Sequence, residues 1–196
     1  MGDALHELKS TLRAALRAHA QTFSDLDRAT ASVQLRDRLA QEKFFQNAPT
    51  ILFFAPLADE PDVWPLLETT LAAARTVALP RFNRATKSYD AVAVRDLAVD
   101  IVLGQFAVRE PATHCPVLQW NRLDLLLVPG LGFDARGRRL GRGQGFYDRL
   151  LPLAGGVKCG LTFDWQVLAE IPAAPHDVTL NCILTPTRRL PSDARI

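Results

Sequence analysis

Apolar residues recur at Leu5, Leu8, Leu12 and Leu16, a three- and four-residue spacing that predicts an amphipathic helix. Lys9, Arg13 and Arg17 form a cationic row at i, i+4 and i+8 on another face of it. A second helix is expected to start near Ser24, whose hydroxyl caps it while Asp27 takes the third position. It runs through Val33, Leu35 and Leu39 towards Phe44-Phe45 and stops at Asn47-Ala48-Pro49. Then the period changes. Ile51-Leu52-Phe53-Phe54 is wholly apolar, as a strand covered on both faces would be. Pro61 opens a helical stretch through Trp64, Leu67 and Leu71. Further strands are predicted at 76–79, closed by Pro80-Arg81, at 89–94 with alternating character, and at 124–128, 158–163 and 180–184. Strands alternating with helices imply an α/β fold with a mostly parallel sheet, read as a single domain over residues 1–196.

Composition narrows the field. Of 196 residues, 48% are hydrophobic and 22% charged, enough apolar material to bury a core without staples. Lys+Arg at 23 against Asp+Glu at 21 leaves +2, which argues against a general nucleic-acid or membrane surface. Cys115, Cys159 and Cys182 are far apart with no CxxC pair, the pattern of buried thiols in a reducing compartment, so a cytoplasmic address is expected. No apolar run reaches the roughly 20 residues that cross a bilayer.

Chemistry concentrates in one segment. The strand ending at Val128 runs into Pro-Gly-Leu-Gly-Phe-Asp (129–134) and then Arg-Gly-Arg-Arg-Leu-Gly-Arg-Gly-Gln-Gly-Phe-Tyr-Asp-Arg (136–149). Six of the 11 glycines fall between Gly130 and Gly145, and five arginines against two aspartates lie between Asp134 and Arg149. Glycine lets successive backbone N–H groups approach and surround an anion, and arginine adds bidentate donors for phosphate. A helix expected from Phe146 to Leu151 would present its N-terminus to the same place. The spacing lacks the Gly-Lys-Ser/Thr of a Walker A loop and the GxGxxG of a dinucleotide fold. The competing reading is a surface hairpin with solvated arginines. Asp148 reads as a Mg²⁺ ligand beside phosphate or, equally, as a plain structural acid, either salt-bridged to Arg149 or set in a helix's first turn to satisfy the macrodipole. Asp177, before the last strand, is a second carboxylate in a plausible place.

The stretch LDLLLVPGLGFDARGRRLGRGQGFYDRLL resembles the signature of the 5-formyltetrahydrofolate cyclo-ligase family. Lys9 with Arg13, Glu60, Leu79-Pro80-Arg81, Glu110-Pro111, Gln166 and His176-Asp177 follow in the family's order. The resemblance implies a three-layer α/β/α sandwich similar to the ribose-5-phosphate isomerase and CoA-transferase group. It also implies closure of 5-formyltetrahydrofolate to 5,10-methenyltetrahydrofolate, with ATP and Mg²⁺ consumed and required respectively, by a monomer that binds neither nucleic acid nor membrane. The formyl oxygen attacks the γ-phosphate, and N10 then attacks the activated carbon and expels phosphate.

Site roles follow from the same resemblance. Lys9, Arg13, Arg139, Leu140, Gly141, Arg142, Gly143, Gln144, Gly145, Phe146 and Tyr147 match nucleotide-binding positions. Ala55, Glu60, Arg142, Gly143, Gln144, Gly145 and Phe146 match the folate side, Asp148 and Asp177 the magnesium ligands, and Arg142 with Tyr147 the catalytic pair. Gln144 stands where relatives often have Gly or Lys, and Phe146 where Tyr is commoner. The tryptophans are read as packing, with Trp165 nearest the implied site, and His114-Cys115 as divergent neighbours. The alternatives are a sugar-phosphate isomerase or CoA-transferase-like enzyme, and a non-catalytic nucleotide- or RNA-binding module of the same fold.

Overall fold

The computed structural model describes residues 2–104, 108–175 and 177–191. Its helices are α1 (Gly2–Ala20), α2 (Asp25–Gln41), α3 (Lys43–Gln46), α4 (Trp64–Ala72), α5 (Leu97–Asp100) and α6 (Phe146–Leu150). The strands are β1 (Thr50–Leu52), β2 (Thr76–Asn83), β3 (Ser88–Val94), β4 (Ile101–Leu103), β5 (Arg109–Pro111), β6 (Val117–Leu118) and β7 (Leu125–Val128). After them come β8 (Gly132–Asp134), β9 (Arg139–Leu140), β10 (Val157–Leu161), β11 (Val167–Leu168), β12 (Cys182–Leu184) and β13 (Arg189–Pro191). Eight strands form the main sheet in the order β13-β12-β10-β7-β1-β2-β3-β6. Its centre, from β12 to β2, is parallel. Only the flanking β13, β3 and β6 pair antiparallel.

The apolar runs of β1 and β7 exist because each strand feeds two cores. Ile51, Val77, Leu125, Leu127 and Cys159 point to one side, where Leu35 and Leu39 of α2, Phe45 of α3 and Leu67 of α4 cover them. Leu52, Ala78, Leu126, Val128 and Ile183 point to the other, against Phe133, Leu151 and Ala154. Each large side chain so buried stabilises the fold by about 1.5–3 kcal/mol. Leu16 of α1 packs on Leu131, Leu140 and Ile171, beside the small sheet β11-β8-β9. That contact lays α1 alongside the glycine-rich segment.

Ser24 caps α2 as expected, accepting from the Asp27 N–H while Asp27 accepts from the Ser24 N–H. Other boundaries differ. The second helix ends at Gln41, and a separate turn, α3, carries Phe44 and Phe45. β2 does not close at Pro80-Arg81 but continues to Asn83. Its parallel partner β1 reaches only to Ala78, so at Pro80 no N–H is required on that edge. β3 does not alternate: Ala91 to Val94 are all buried, because both faces are covered, Ala91 joining the core around Leu52, Val92 packing with Ala112 and Cys115, and Val94 joining the core around Ile51. All three cysteines are buried free thiols.

Candidate active site

A cavity of about 1420 Å³ opens beyond the carboxyl ends of β1 and β7, the ligand position typical of open α/β sheets. Lys9 and Arg13 reach it from α1, Ala55 and Glu60 from the chain after β1, Arg139 through Asp148 from the glycine-rich segment, and Asp177 from the approach to β12. Every site residue singled out in the sequence therefore borders one space. His176 lies outside the described residues.

The glycine-rich segment is not a plain loop. It folds first as a hairpin of β8 and β9, whose turn is held by Asp134 accepting from the N–H groups of Arg136 and Arg138 at 2.9 and 3.1 Å. Gly143 (φ +106°) and Gly145 (φ +62°) then take left-handed conformations open to few other residues. Arg13 Nε donates to the Gly141 carbonyl at 2.9 Å, fastening the segment to α1. The five arginines divide. Arg136 and Arg138 pair with Glu170 on the outside, and Arg149 donates to the Gln144 carbonyl and lies 5.0 Å over the Phe146 ring. Of the five, Arg139 and Arg142 line the cavity. The helix after the segment, α6, has five residues, too short for its N-terminus to contribute much to anion binding.

Three cations on the cavity wall are paired with carboxylates. Lys9 pairs with Asp177, which also accepts from the Ala174 N–H at 2.7 Å. Arg139, its side chain 4% exposed, donates to Asp148 at 2.6 Å and lies over the Tyr147 ring. Its Nε is buried and has no hydrogen-bond partner among the described residues. Arg142 donates to Asp59, and to Glu60 Oε1 through Nη2 at 3.0 Å and Nε at 3.2 Å. Glu60 Oε2 accepts from the Leu57 N–H at 3.0 Å. Burial raises the Glu60 pKa above the usual carboxylate value, and Arg142 partly offsets this. Burial, with the Glu60 charge, also holds the Tyr147 phenol well above its ordinary value, so it stays a hydrogen-bond donor into the alkaline range.

Sequence reading missed Asp59, although its adjacency to Glu60 was the available signal. It also missed the aromatic wall, where Tyr89 of β3 meets the Phe146 ring at 4.9 Å and 88°. The tryptophan on the cavity is Trp120, not Trp165, which stacks between Phe23 and Phe163. Gln166 is structural: Oε1 accepts from the Thr162 hydroxyl and the Phe163 N–H. His114 and Cys115 do not diverge, since both meet Asp100, through Oδ1 at 2.9 Å and the backbone carbonyl respectively. That trio lies away from the cavity.

The 5-formyltetrahydrofolate cyclo-ligase family model matches residues 6–186. A Mycolicibacterium smegmatis 5-formyltetrahydrofolate cyclo-ligase is 34% identical over 185 residues, covering 92% of this chain and 94% of that protein. A Mus musculus protein of the same name is 28% identical over 92% of this chain and 94% of its own. The solved structure of Aquifex aeolicus 5,10-methenyltetrahydrofolate synthetase superposes with a TM-score of 0.86 at 25% identity, covering 96% of this chain and 95% of that one.

Proposed function

The chain belongs to the 5-formyltetrahydrofolate cyclo-ligase family, and on that premise we propose that it closes 5-formyltetrahydrofolate to 5,10-methenyltetrahydrofolate at the expense of ATP. The observation that carries the proposal is the cavity's size and its mixed aromatic and cationic lining. Pockets for one small ligand run to about 300–1,000 Å³; this one has about 1420 Å³, room for a folate and a nucleotide together. Tyr89, Trp120 and Phe146 bring apolar rings to its wall, and Lys9, Arg13 and Arg139 bring cations.

The formyl oxygen is a weak nucleophile, so alignment and charge neutralisation must lower the barrier. Attack on the γ-phosphorus forms a P–O bond as the bond to the β-phosphate oxygen breaks and ADP leaves; N10 then attacks the formyl carbon, its proton passes to the departing phosphate or to solvent, and the C–O bond breaks to release phosphate. Arg142 and Arg139, on the cavity wall, would offset the charge that builds on the transferring group. The Tyr147 hydroxyl, on the same cavity wall, would serve as a donor. Glu60 would accept the pterin's N–H groups, and Ala55 and the Phe146 ring would bound the pterin's faces. Asp148 and Asp177 are hard oxygen donors of the kind Mg²⁺ takes one or two at a time alongside phosphate. They fit such an ion once Arg139 and Lys9 turn to phosphate oxygens. The ion, when bound, would neutralise phosphate charge. The residue roles, the site's one-domain setting and a monomeric enzyme are part of this reading.

The test mixes the protein with 5-formyltetrahydrofolate and MgATP and follows the methenyl product by its near-ultraviolet absorbance. Product dependent on ATP is expected. Binding of both ligands without product, or no binding of either, overturns the assignment.

A further inference from the structure

We infer that the Asp59–Arg142–Glu60 cluster couples the two halves of the cavity, with Arg142 acting as a latch on Glu60 that nucleotide binding releases. The inference rests on the functional reading above, and goes beyond it by giving Asp59 a positioning role and by making the two ligands bind cooperatively.

Glu60 is 8% exposed and most of its acceptor capacity is already used. A carboxylate offers about four lone-pair positions. Two N–H groups of Arg142 take Oε1 and the Leu57 N–H takes Oε2. A pterin edge presenting two N–H donors cannot be accommodated beside all three. Among the described residues, Arg142 is also the one cavity cation held by two carboxylates at once, Asp59 and Glu60, whereas Arg139 and Lys9 each face one. It sits between Gly141 and Gly143, in the segment whose backbone and neighbouring cations suit phosphate.

A polyanion entering that segment competes with the two carboxylates for the same guanidinium. When Arg142 turns to it, Glu60 is left buried without its counter-ion, a costly state relieved by new N–H donors. A folate pterin supplies them. Each ligand therefore removes a penalty from the other's binding, and linkage requires the effect to be reciprocal. Asp59 sets the strength of the latch: it draws the guanidinium to the carboxylate side without being needed for either ligand. Its carboxylate is partly exposed, so it can lose Arg142 at little cost.

The experiment measures equilibrium binding of 5-formyltetrahydrofolate to the whole protein, with and without saturating β,γ-imido-ATP and Mg²⁺, and the analogue's binding with and without the folate. About tenfold tightening, equal in both directions, is expected, a mid-range coupling. Asp59→Asn should bind the analogue more tightly when alone and show a smaller coupling factor. The proposal is overturned if wild-type protein binds both ligands with a coupling factor of one or below, or if Asp59→Asn keeps the full factor. Asp59→Ser provides the same reading should the Asn variant melt early. Failure of either ligand to bind at all would instead remove the functional reading itself.

Discussion

Replacing Asp148 by Ala and by Asn separates a carboxylate that serves chemistry from one that merely anchors an arginine. Asp148 accepts from Arg139 Nη2 at 2.6 Å, and Arg139 is almost wholly enclosed. Stripping one partner from a buried ion pair costs about 3–5 kcal/mol. The Asp148 side chain is 24% exposed, so water reaches that end of the pair and a lower figure applies. For Asp148→Ala, about 2 kcal/mol is reasonable for an enclosed donor left without its acceptor. In a chain of this length that is a fall in Tm of about 4–8 °C. Asp148→Asn keeps an oxygen for the Arg139 N–H and loses only the charge, so about 1 kcal/mol and half the fall are expected. Turnover should behave differently. If the carboxylate balances charge around the phosphates, both variants lose at least tenfold, and both need more Mg²⁺ for half-maximal rate. Melting curves and steady-state rates across a magnesium series make the comparison. A near-native rate in Asp148→Asn beside an impaired Asp148→Ala would show that the residue only braces Arg139, and the proposed metal role would fall.

Three further outcomes follow from the same geometry. Arg142→Ala should lower turnover by at least tenfold if, as proposed, its guanidinium offsets charge on the transferring group; unchanged kcat would exclude it from that role. Tyr147→Phe should lower kcat several-fold while leaving the rate's alkaline limb unmoved, since burial keeps the phenol protonated there; a shifted alkaline limb would mean the phenol titrates in the working range. The Glu60 carboxyl, raised by burial, should gain its proton above the ordinary glutamate value of about 4.3. KM for the folate should accordingly rise as pH falls towards that value, and Glu60→Gln should show a high KM with no such acid limb. In stability the sign is opposite: the folded state holds this proton more tightly than the unfolded chain. The term therefore favours folding at low pH and is lost as pH rises through the folded pKa.

The sheet's centre was legible because its strands are buried on both faces, and four consecutive apolar residues such as Ile51 to Phe54 suit a doubly covered strand better than any exposed element. The glycine-rich segment was legible by composition alone. What could not be read was direction. Nothing in the order Arg136, Arg138, Arg139, Arg142, Arg149 tells that two bind Glu170 outside and two face inward; that depends on the β8–β9 hairpin, whose strands of three and two residues are too short to show a period. Trp120 and Tyr89 were missed for a related reason. They come from the chain between β6 and β7 and from β3, elements that reach the cavity only through sheet order, a long-range property. Asp59 illustrates a third limit: acids before a proline are common in helix first turns, so adjacency to Glu60 alone could not separate a partner for Arg142 from a local cap.

The ion pairs around the cavity bear on how such a site stays folded without its ligands. Lys9, Arg139 and Arg142 gathered in one partly enclosed space would repel one another and lose hydration. Asp177, Asp148, Asp59 and Glu60 supply the compensating charge in the protein alone. A polyphosphate can take over the cations only if the carboxylates find new partners, and the reactants of the proposed reaction provide them: a divalent ion for Asp148 and Asp177, and pterin N–H groups for Glu60. The proposed exchange would conserve pairing on both sides, so a site rich in charge could be stable by itself and still bind its ligands. It also makes a nucleotide without its metal, or without the folate, an incomplete replacement for the carboxylate contacts, which favours occupation by the whole set of reactants over any one of them.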